Sequence, residues 1–424
     1  MATKNISLLA AVLICINTIL GAGIFVNPKQ LAILAGPYSI FCYLISGLII
    51  LPLIITIGEL ARLQPVSGGL YVYSKEYLSP IFGFLCSWSY FVAKSTSIAF
   101  LSHTVTSYFQ AKIPFLQQFS ILTLDYSVIC SLCFINIAGV TIGSRIQYVF
   151  IAMKTIPLVF IFIAGFFCFN VNNFINEGFI ASEFLSTIPV SLYALTGFEA
   201  ICAIGGFIDN AATNIRKALL ISFSIVTIIA ITYQIVCYGS LGNFLTITNE
   251  PSYSIGSILI PTAPWLGAII SGIAFASITA GAFSMTATNC WNLYTIGKNN
   301  HLPGSSYLTK TTVYNTPWVA LLIQASVSLL MITITTQQLA LQNMVTFCGF
   351  SAFLLTAIAA IQAIRQGKSS LNIAIPTLGI ISCIGVITLC LHRIILYGIS
   401  VPFLVILMSG CLLVALKKAH LFSN

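Results

Sequence analysis

Long apolar runs separated by short polar punctuation fill this chain. A helix needs about 20 apolar residues to cross a bilayer. Twelve runs are of that order, at roughly 7–35, 38–62, 80–108, 124–143, 147–169, 185–208, 217–242, 262–297, 316–334, 341–364, 373–391 and 396–416. The boundary between the fourth and fifth runs and the start of the eighth are the least sharply drawn. Two of the twelve are interrupted by glycine. The first is broken at Leu20-Gly21-Ala22-Gly23-Ile24-Phe25, and the sixth, about 176 residues later, at Thr196-Gly197-Phe198-Glu199 and Gly205-Gly206. Glycine relaxes a helix, and within lipid a relaxed backbone is tolerated only where it lines a protein or water cavity. Matching interruptions in two halves of a membrane protein point to the substrate site of a carrier.

The spacing of the runs carries the same message. A shift of about 176 residues lays the first run on the sixth and the second on the seventh. Runs three to five then fall short by up to about 18 residues, because the connection at 298–315 is long. Each half holds an odd number of spans, so the second must be inverted relative to the first. The expected fold is an all-α membrane protein with twelve transmembrane helices in a five-plus-five inverted repeat. It forms a single transmembrane domain over 1–424, with repeat one at about 6–170, repeat two at about 185–364 and two additional helices at about 373–416.

Composition agrees: 58% of residues are hydrophobic and 6% charged, with a mean hydropathy of +1.03. So few charges could not cover a soluble protein of this size. With a cytoplasmic N-terminus, the inner segments hold Lys4, Arg62, Lys75, Arg145, Arg216, Lys217, Lys298, Lys310, Arg365, Lys368, Lys417 and Lys418. The outer loops hold only Lys112 and Arg393, and Lys29, Lys94 and Lys154 fall inside or at the edge of runs. This positive-inside bias places both termini in the cytoplasm. The net charge of +9 therefore reads as topology. Its scatter over separate short loops argues against a nucleic-acid partner. The first run is too long for a signal-peptide core and lacks a cleavage site, so no cleavable leader is expected. Inter-span segments under about 20 residues leave no room for the soluble domain of a receptor, a kinase or an ATP-driven pump.

The breaks supply the candidate chemistry. Freed amides beside a half-helix N-terminus suit a carboxylate, and freed carbonyls suit an ammonium; an α-amino acid carries both on one carbon. The alternative is a glycine pair that only lets two helices approach. On the binding reading, Gly23→Val abolishes binding and leaves the protein folded. Glu199 is the acid placed deep within the spans, inside the second break, where it could exchange a proton or anchor the freed amides. Lys154 lies nine residues after Arg145, about 13 Å up the fifth run, and either faces the cavity or snorkels to the inner interface. Lys94, fourteen residues from both Pro80 and Tyr108, is out of reach of either interface and should face the bundle or a wet cavity. Cys130-Ser131-Leu132-Cys133 has redox spacing but sits mid-membrane without a second pair, and reads as packing. Gly367-Lys368-Ser369 resembles the end of a phosphate loop, yet the required first glycine is Gln362. His103, His301, His392 and His420 form no metal-ligand spacing. No cofactor and no metal is expected, and the chain does not read as an enzyme.

Several segments in fixed order carry a family likeness: Gly21-Ala22-Gly23-Ile24-Phe25; Glu59-Leu60 and Pro65-Val66-Ser67-Gly68-Gly69-Leu70-Tyr71-Val72-Tyr73; Gly197-Phe198-Glu199; His301-Leu302-Pro303; and Thr316-Pro317. Along nearly its whole length the chain resembles the amino acid–polyamine–organocation (APC) superfamily. The resemblance implies the LeuT-type fold with broken helices one and six, alternating access, and substrates that are amino acids or derived amines. It implies that Gly21, Ala22 and Gly23 meet the substrate's carboxylate, that carbonyls near Ala194, Leu195 and Thr196 meet its ammonium, and that Gly197 belongs to the same substrate site. Arginine/agmatine antiporters of this superfamily have a tryptophan six residues before the span 6 glutamate; Tyr193 stands there in this chain. Their span 8 tryptophan falls on Met285. Lys94 falls on a position lining the side-chain pocket. Lys154 matches a lysine whose ammonium, in sodium-independent members, takes a place where relatives bind sodium.

The resulting expectation is a secondary active amino acid permease of the cytoplasmic (inner) membrane. It is sodium-independent, works by proton symport or exchange (antiport), and takes neutral or acidic amino acids. Its partners are the amino acid and membrane lipid, with a homodimer left open. A polyamine or organic-cation carrier on the same fold is disfavoured by Lys94, and arginine/agmatine exchange by Lys94 and Met285. A non-transporting amino acid sensor would be expected to carry a long cytoplasmic extension, and an ion channel a repeated carbonyl filter.

Overall fold

The computed structural model describes residues 6–139, 144–175, 178–248 and 250–422. Lys4 lies outside them, as do the side chains of Arg145, Lys417, Lys418 and His420. Ser7 opens α1 (Leu8–Ile19), its hydroxyl accepting from the Ala10 N–H at 3.3 Å and satisfying one of the first-turn donors a helix leaves free. The helix stops at Leu20-Gly21, and α2 (Ala22–Ala35) starts at once. Next come α3 (Cys42–Leu63), the short α4 (Gly69–Tyr77) and α5 (Pro80–Lys112), whose leading proline costs no hydrogen bond at that position. Ser120 caps α6 (Ile121–Ile137) through the Thr123 N–H, and α7 (Ser144–Phe167) follows. α8 (Ala181–Leu195) and the one-turn α9 (Ala200–Ala203) flank the second break. The remainder is α10 (Ala211–Leu241), α11 (Pro251–Leu259), α12 (Pro264–Lys298), α13 (Ser305–Leu308), α14 (Trp318–Ile334), α15 (Gln338–Arg365), α16 (Ala374–Leu396) and α17 (Ser400–Phe422).

The described residues contain no β-strand, only one isolated parallel bridge between Ile6 and Ile208. Six helical stretches among them are long and apolar enough to cross a bilayer. The chain is an all-α, multi-pass membrane protein. Most apolar-run boundaries fall near helix ends, but α6 stops at Ile137 against an expected 143 (itself outside the described residues), α10 starts at Ala211 against 217, and α16 and α17 end at Leu396 and Phe422 against 391 and 416. α5 runs on to Lys112, past the expected end at 108, and α4, α11 and α13 lie in connections that read as polar. Helices of four to nine residues are too short for a hydropathy run to register.

By contact the chain separates into two compact units. The first comprises Met1–Gly69, Gly143–Ile278 and Ser369–Ser382, the second Leu70–Ile142, Thr279–Lys368 and Cys383–Asn424. In the first, α1 packs on α10, α2 on α8, and α3 on both α8 and α10. Polar pins fix these helices where lipid offers no competing partner. The Asn27 amide donates to Val190 O at 2.7 Å, and the Ser46 and Ser191 hydroxyls meet at 2.6 Å. In the second unit α5 is central, surrounded by α6, α14, α15 and α17, and every residue from Ser95 to Thr106 is buried. Three of its hydroxyls bond locally, Thr96, Thr104 and Thr106 each donating to the carbonyl four residues back. Large apolar side chains such as Phe134 and Phe166 stay 67% and 75% exposed, as a lipid-facing surface requires.

Candidate functional site

The site begins with a helix that ends early. Leu20 N–H makes the last regular bond of α1, to Ile16 O, and Gly21 N–H turns back to Ile19 O at 2.6 Å. Gly21 is extended (φ −98°, ψ −165°) and offers α2 no side-chain cap. The first amides of α2, from Ala22 onward, therefore have no intrahelical partner, and the helix dipole adds positive potential at the same point. Ala22 and Gly23 are buried while Gly21 is half-buried, so Gly21 is the open lip of this group.

Directly against it stands the end of α8. A Cβ on Gly23 would lie 2.7 Å from Ala194 Cβ and 2.8 Å from Ala194 Cα. The start of α2 and the end of α8 thus touch through glycine. This corrects the expectation for Gly23→Val: a side chain there collides with backbone and cannot leave the packing unchanged. Gly21 differs, since its Cβ would meet nothing closer than Ile19 O at 3.7 Å.

α8 closes on Thr196, whose hydroxyl folds back to Tyr193 O at 2.8 Å. Gly197 then takes φ +117°, which L side chains rarely adopt, and a Cβ on it would sit 2.9 Å from Thr18 O. Its N–H donates to Glu199 Oε2 at 2.9 Å. Glu199 is 3% exposed, and its carboxylate holds the second break in shape. Tyr193, Ala194 and Leu195 are all buried beside it.

Lys154 reaches from α7 to the other side of the first break. Its ammonium donates to Asn17 O at 2.8 Å and to Asn17 Oδ1 at 3.0 Å. Asn17 was not singled out by sequence reasoning, although an amide one turn before a glycine break is a legible signal. Gly21, Ala22, Gly23, Lys154, Tyr193, Ala194, Leu195, Thr196, Gly197 and Glu199 all belong to the first unit. Contacts at Gly23–Ala194, Gly197–Thr18 and Lys154–Asn17 bring the two breaks and α7 together.

Lys94 and Met285 belong to the second unit. The Lys94 ammonium lies 5.0 Å from the centroid of the Tyr90 ring, one turn away on α5. That stretch of α5 is clamped from α12 and α14: the Asn289 amide donates to Phe91 O and Ser95 Oγ, both at 3.2 Å, and Ser328 donates to Ser95 O at 2.8 Å. Met285 is half-buried, one turn before Asn289 on α12.

Comparison with known proteins decides the family. The amino acid permease family model matches residues 6–416, nearly the whole chain. This chain belongs to the amino acid permease family. It is 24% identical over 343 residues to the serine/threonine exchanger SteT of Bacillus subtilis (strain 168), covering 78% of this chain and 77% of SteT. It is 23% identical over 403 residues to the branched-chain amino acid permease BcaP of the same organism, covering 88% and 85%. To the human b(0,+)-type amino acid transporter 1 it is 26% identical over 317 residues, covering 70% of this chain and 64% of that protein. The permease is accordingly a secondary active amino acid transporter embedded in membrane lipid, and its family moves substrates without transforming them.

Within the permease the remaining family-like segments have structural work. Gly69 takes φ +52°, and a Cβ on it would lie 3.3 Å from Ala203 N. Gly68 N–H donates to Ala203 O, and Gly206 N–H to Ser67 Oγ at 3.3 Å. Ser67-Gly68-Gly69 is thus a close-approach turn laid against α9. In the second unit Tyr71 OH and His301 Nε2 are 2.9 Å apart. Burial pushes the Tyr71 phenol up to about 12, so it stays protonated at neutral pH. Glu59 accepts from Arg62 at 2.8 and 3.0 Å and from Ser369 at 2.7 Å, with Arg216 3.7 Å away. Ser369, from the segment that resembled a phosphate loop, therefore serves as a tether.

Proposed function

We propose that this permease carries neutral amino acids by alternating access, on a twelve-helix LeuT-type fold whose first and sixth helices are broken. The supporting observation is the junction of the two breaks. Uncapped amides at the start of α2 abut the end of α8 at Ala194, which pairs a carboxylate-binding group with freed carbonyls for an ammonium. Gly21, Ala22 and Gly23 take the carboxylate. Carbonyls of Ala194, Leu195 and Thr196 take the ammonium, and Gly197, whose own carbonyl accepts from the Ala200 N–H at 3.2 Å, shapes the break beside them. Tyr193 stands beside these groups in the first unit, and the family resemblance assigns Lys94 and Met285 of the second unit to contacts with the substrate side chain. The names of SteT and BcaP specify serine, threonine and branched-chain amino acids, which favours the neutral class over the acidic one. The five-plus-five repeat and two added helices follow from the spacing of the breaks. The positive-inside bias supports cytoplasmic termini in the inner membrane. A homodimer is compatible with this arrangement and is tested by the mass of the purified protein in detergent.

Coupling follows from charge placement. Lys154 puts an ammonium on Asn17 O, where a sodium ion would otherwise find carbonyl ligands. Sodium is therefore not required, and a proton or a counter-substrate drives uptake, with Glu199 and Lys154 as the coupling groups. The test is uptake of a panel of labelled amino acids into proteoliposomes, with and without sodium and a pH difference. Uptake should persist when choline replaces sodium at constant pH; its abolition refutes the role given to Lys154. Losing a hydrogen bond to a charged donor costs about 1.5–3 kcal/mol. Lys154→Ala should therefore lower transport by roughly ten- to hundredfold.

A further inference from the structure

The second unit contains a buried ionisable pair that the reading above does not use. His103 Nδ1 on α5 and Asp125 Oδ2 on α6 are 2.8 Å apart. The histidine is 8% exposed and the aspartate 0%. Asp125 Oδ1 and the neighbouring Ser102 Oγ are both buried without a hydrogen-bond partner. An ionised carboxylate in such a place is expensive unless paired. Helix packing alone could be served at lower cost by apolar side chains, so an ionisable pair at membrane depth calls for a function.

We propose that His103 and Asp125 form a proton-binding site that takes up the coupling proton from the outer side of the membrane. This rests on the proton-coupled form of the proposed function. The ionised Asp125 can only accept, so Nδ1 of His103 carries the hydrogen between them and the Nε2 lone pair receives the proton. The Ser107 hydroxyl lies 3.4 Å from Nε2. It can donate to the neutral ring and accept from the protonated one, so both states are accommodated by rotating one hydroxyl. Binding the proton changes the charge of the pair from −1 to zero, which removes the uncompensated buried carboxylate. Loading therefore alters how α5 and α6 can pack, and α5 is the central helix of its unit.

The site is electrostatically isolated. On α5 the nearest charged residues are Lys94 and Lys112, each nine positions away, or about 13 Å along the axis; Tyr108 is closer but a phenol. On α6 the other titratable groups are Tyr126, whose hydroxyl meets Thr333 Oγ1 at 2.7 Å, and Cys130 and Cys133. α14 carries none, and the 3₁₀ turn Pro114–Gln118 carries none. α15 offers Cys348 and, at its far end, Arg365; the described side chains of α17 include only Cys411. Among the described side chains of these elements none is placed to supply a compensating charge, which leaves the proton to do it. His103 lies nine residues before the end of α5 and Asp125 is the fifth residue of α6. The two helices are joined by residues 113–120, the outer connection on the positive-inside reading.

The experiment compares two assays in proteoliposomes for the unmodified protein, His103→Asn and Asp125→Asn. Exchange of labelled for unlabelled substrate at equal pH on both sides measures transport alone. Accumulation with the interior one pH unit more alkaline measures coupling, and one proton per substrate allows about tenfold accumulation. Both variants should keep exchange within about threefold of the unmodified protein and lose accumulation. If one variant does not fold, the other decides. Accumulation unchanged in a folded variant overturns the site while leaving proton coupling intact. An unmodified protein that exchanges but never responds to the pH difference overturns both. Loss of exchange together with accumulation overturns the site too, because the pair is then only a clamp between α5 and α6.

Discussion

Arginine, lysine and ornithine should compete about a hundredfold less well than neutral amino acids for uptake by this permease, and Lys94→Ala should remove that difference. Two like charges about 6 Å apart at an effective dielectric near 20 repel by roughly 2.8 kcal/mol, which is about two decades in affinity. Lys94 is held on a clamped stretch of α5, with Asn289 and Ser328 fixing the backbone at Phe91 and Ser95. Its ammonium therefore has little freedom to withdraw by moving the helix. The variant should admit cationic substrates without weakening glycine or alanine, whose recognition the proposed function assigns to the backbone groups of the breaks. The measurement is competition by a panel of amino acids against one labelled neutral substrate. Strong arginine uptake by the unmodified protein, or a Lys94→Ala ranking that does not change, refutes the substrate-contacting role that the family resemblance assigns to Lys94.

The second large effect separates two glycines that look equivalent in sequence. Gly23→Val should cost the folded protein: a Cβ at 2.8 Å from Ala194 Cα has only backbone to push against, and overpacking of this kind costs about 1–3 kcal/mol or more. Gly21→Val should fold normally. Its φ of −98° and ψ of −165° lie in the extended region that β-branched residues favour, and no atom lies within 3.7 Å of the added Cβ. The valine methyls would instead crowd the approach to the free amides of α2. The expected result is an unchanged melting temperature in detergent with substrate affinity reduced at least tenfold. Unchanged affinity in Gly21→Val would make the first break a packing feature and nothing more.

What the chain reveals by itself is whatever lipid imposes locally. A span must be apolar along its own length, its backbone must bond to itself, and its basic flanks must stay inside. The apolar segments, the breaks at Gly21–Gly23 and Gly197, and the uneven distribution of lysine and arginine over alternate loops were all readable residue by residue for that reason. The short motifs around Gly21, Ser67, Gly197 and His301 were enough to point to the family that comparison then established. What the tertiary structure decided depends on how helices are rotated toward one another, which hydropathy does not encode. Gly23 meets Ala194 while Gly21 stays open; Lys154 finds Asn17, 137 residues away; Ser369 finds Glu59, 310 residues away. The pairing of His103 with Asp125 is the sharpest instance. In the sequence one is a histidine near a span end and the other an acid at the edge of a run. Only the packing of α5 against α6 buries them together, because a charge can enter the interior of a membrane protein only with its partner.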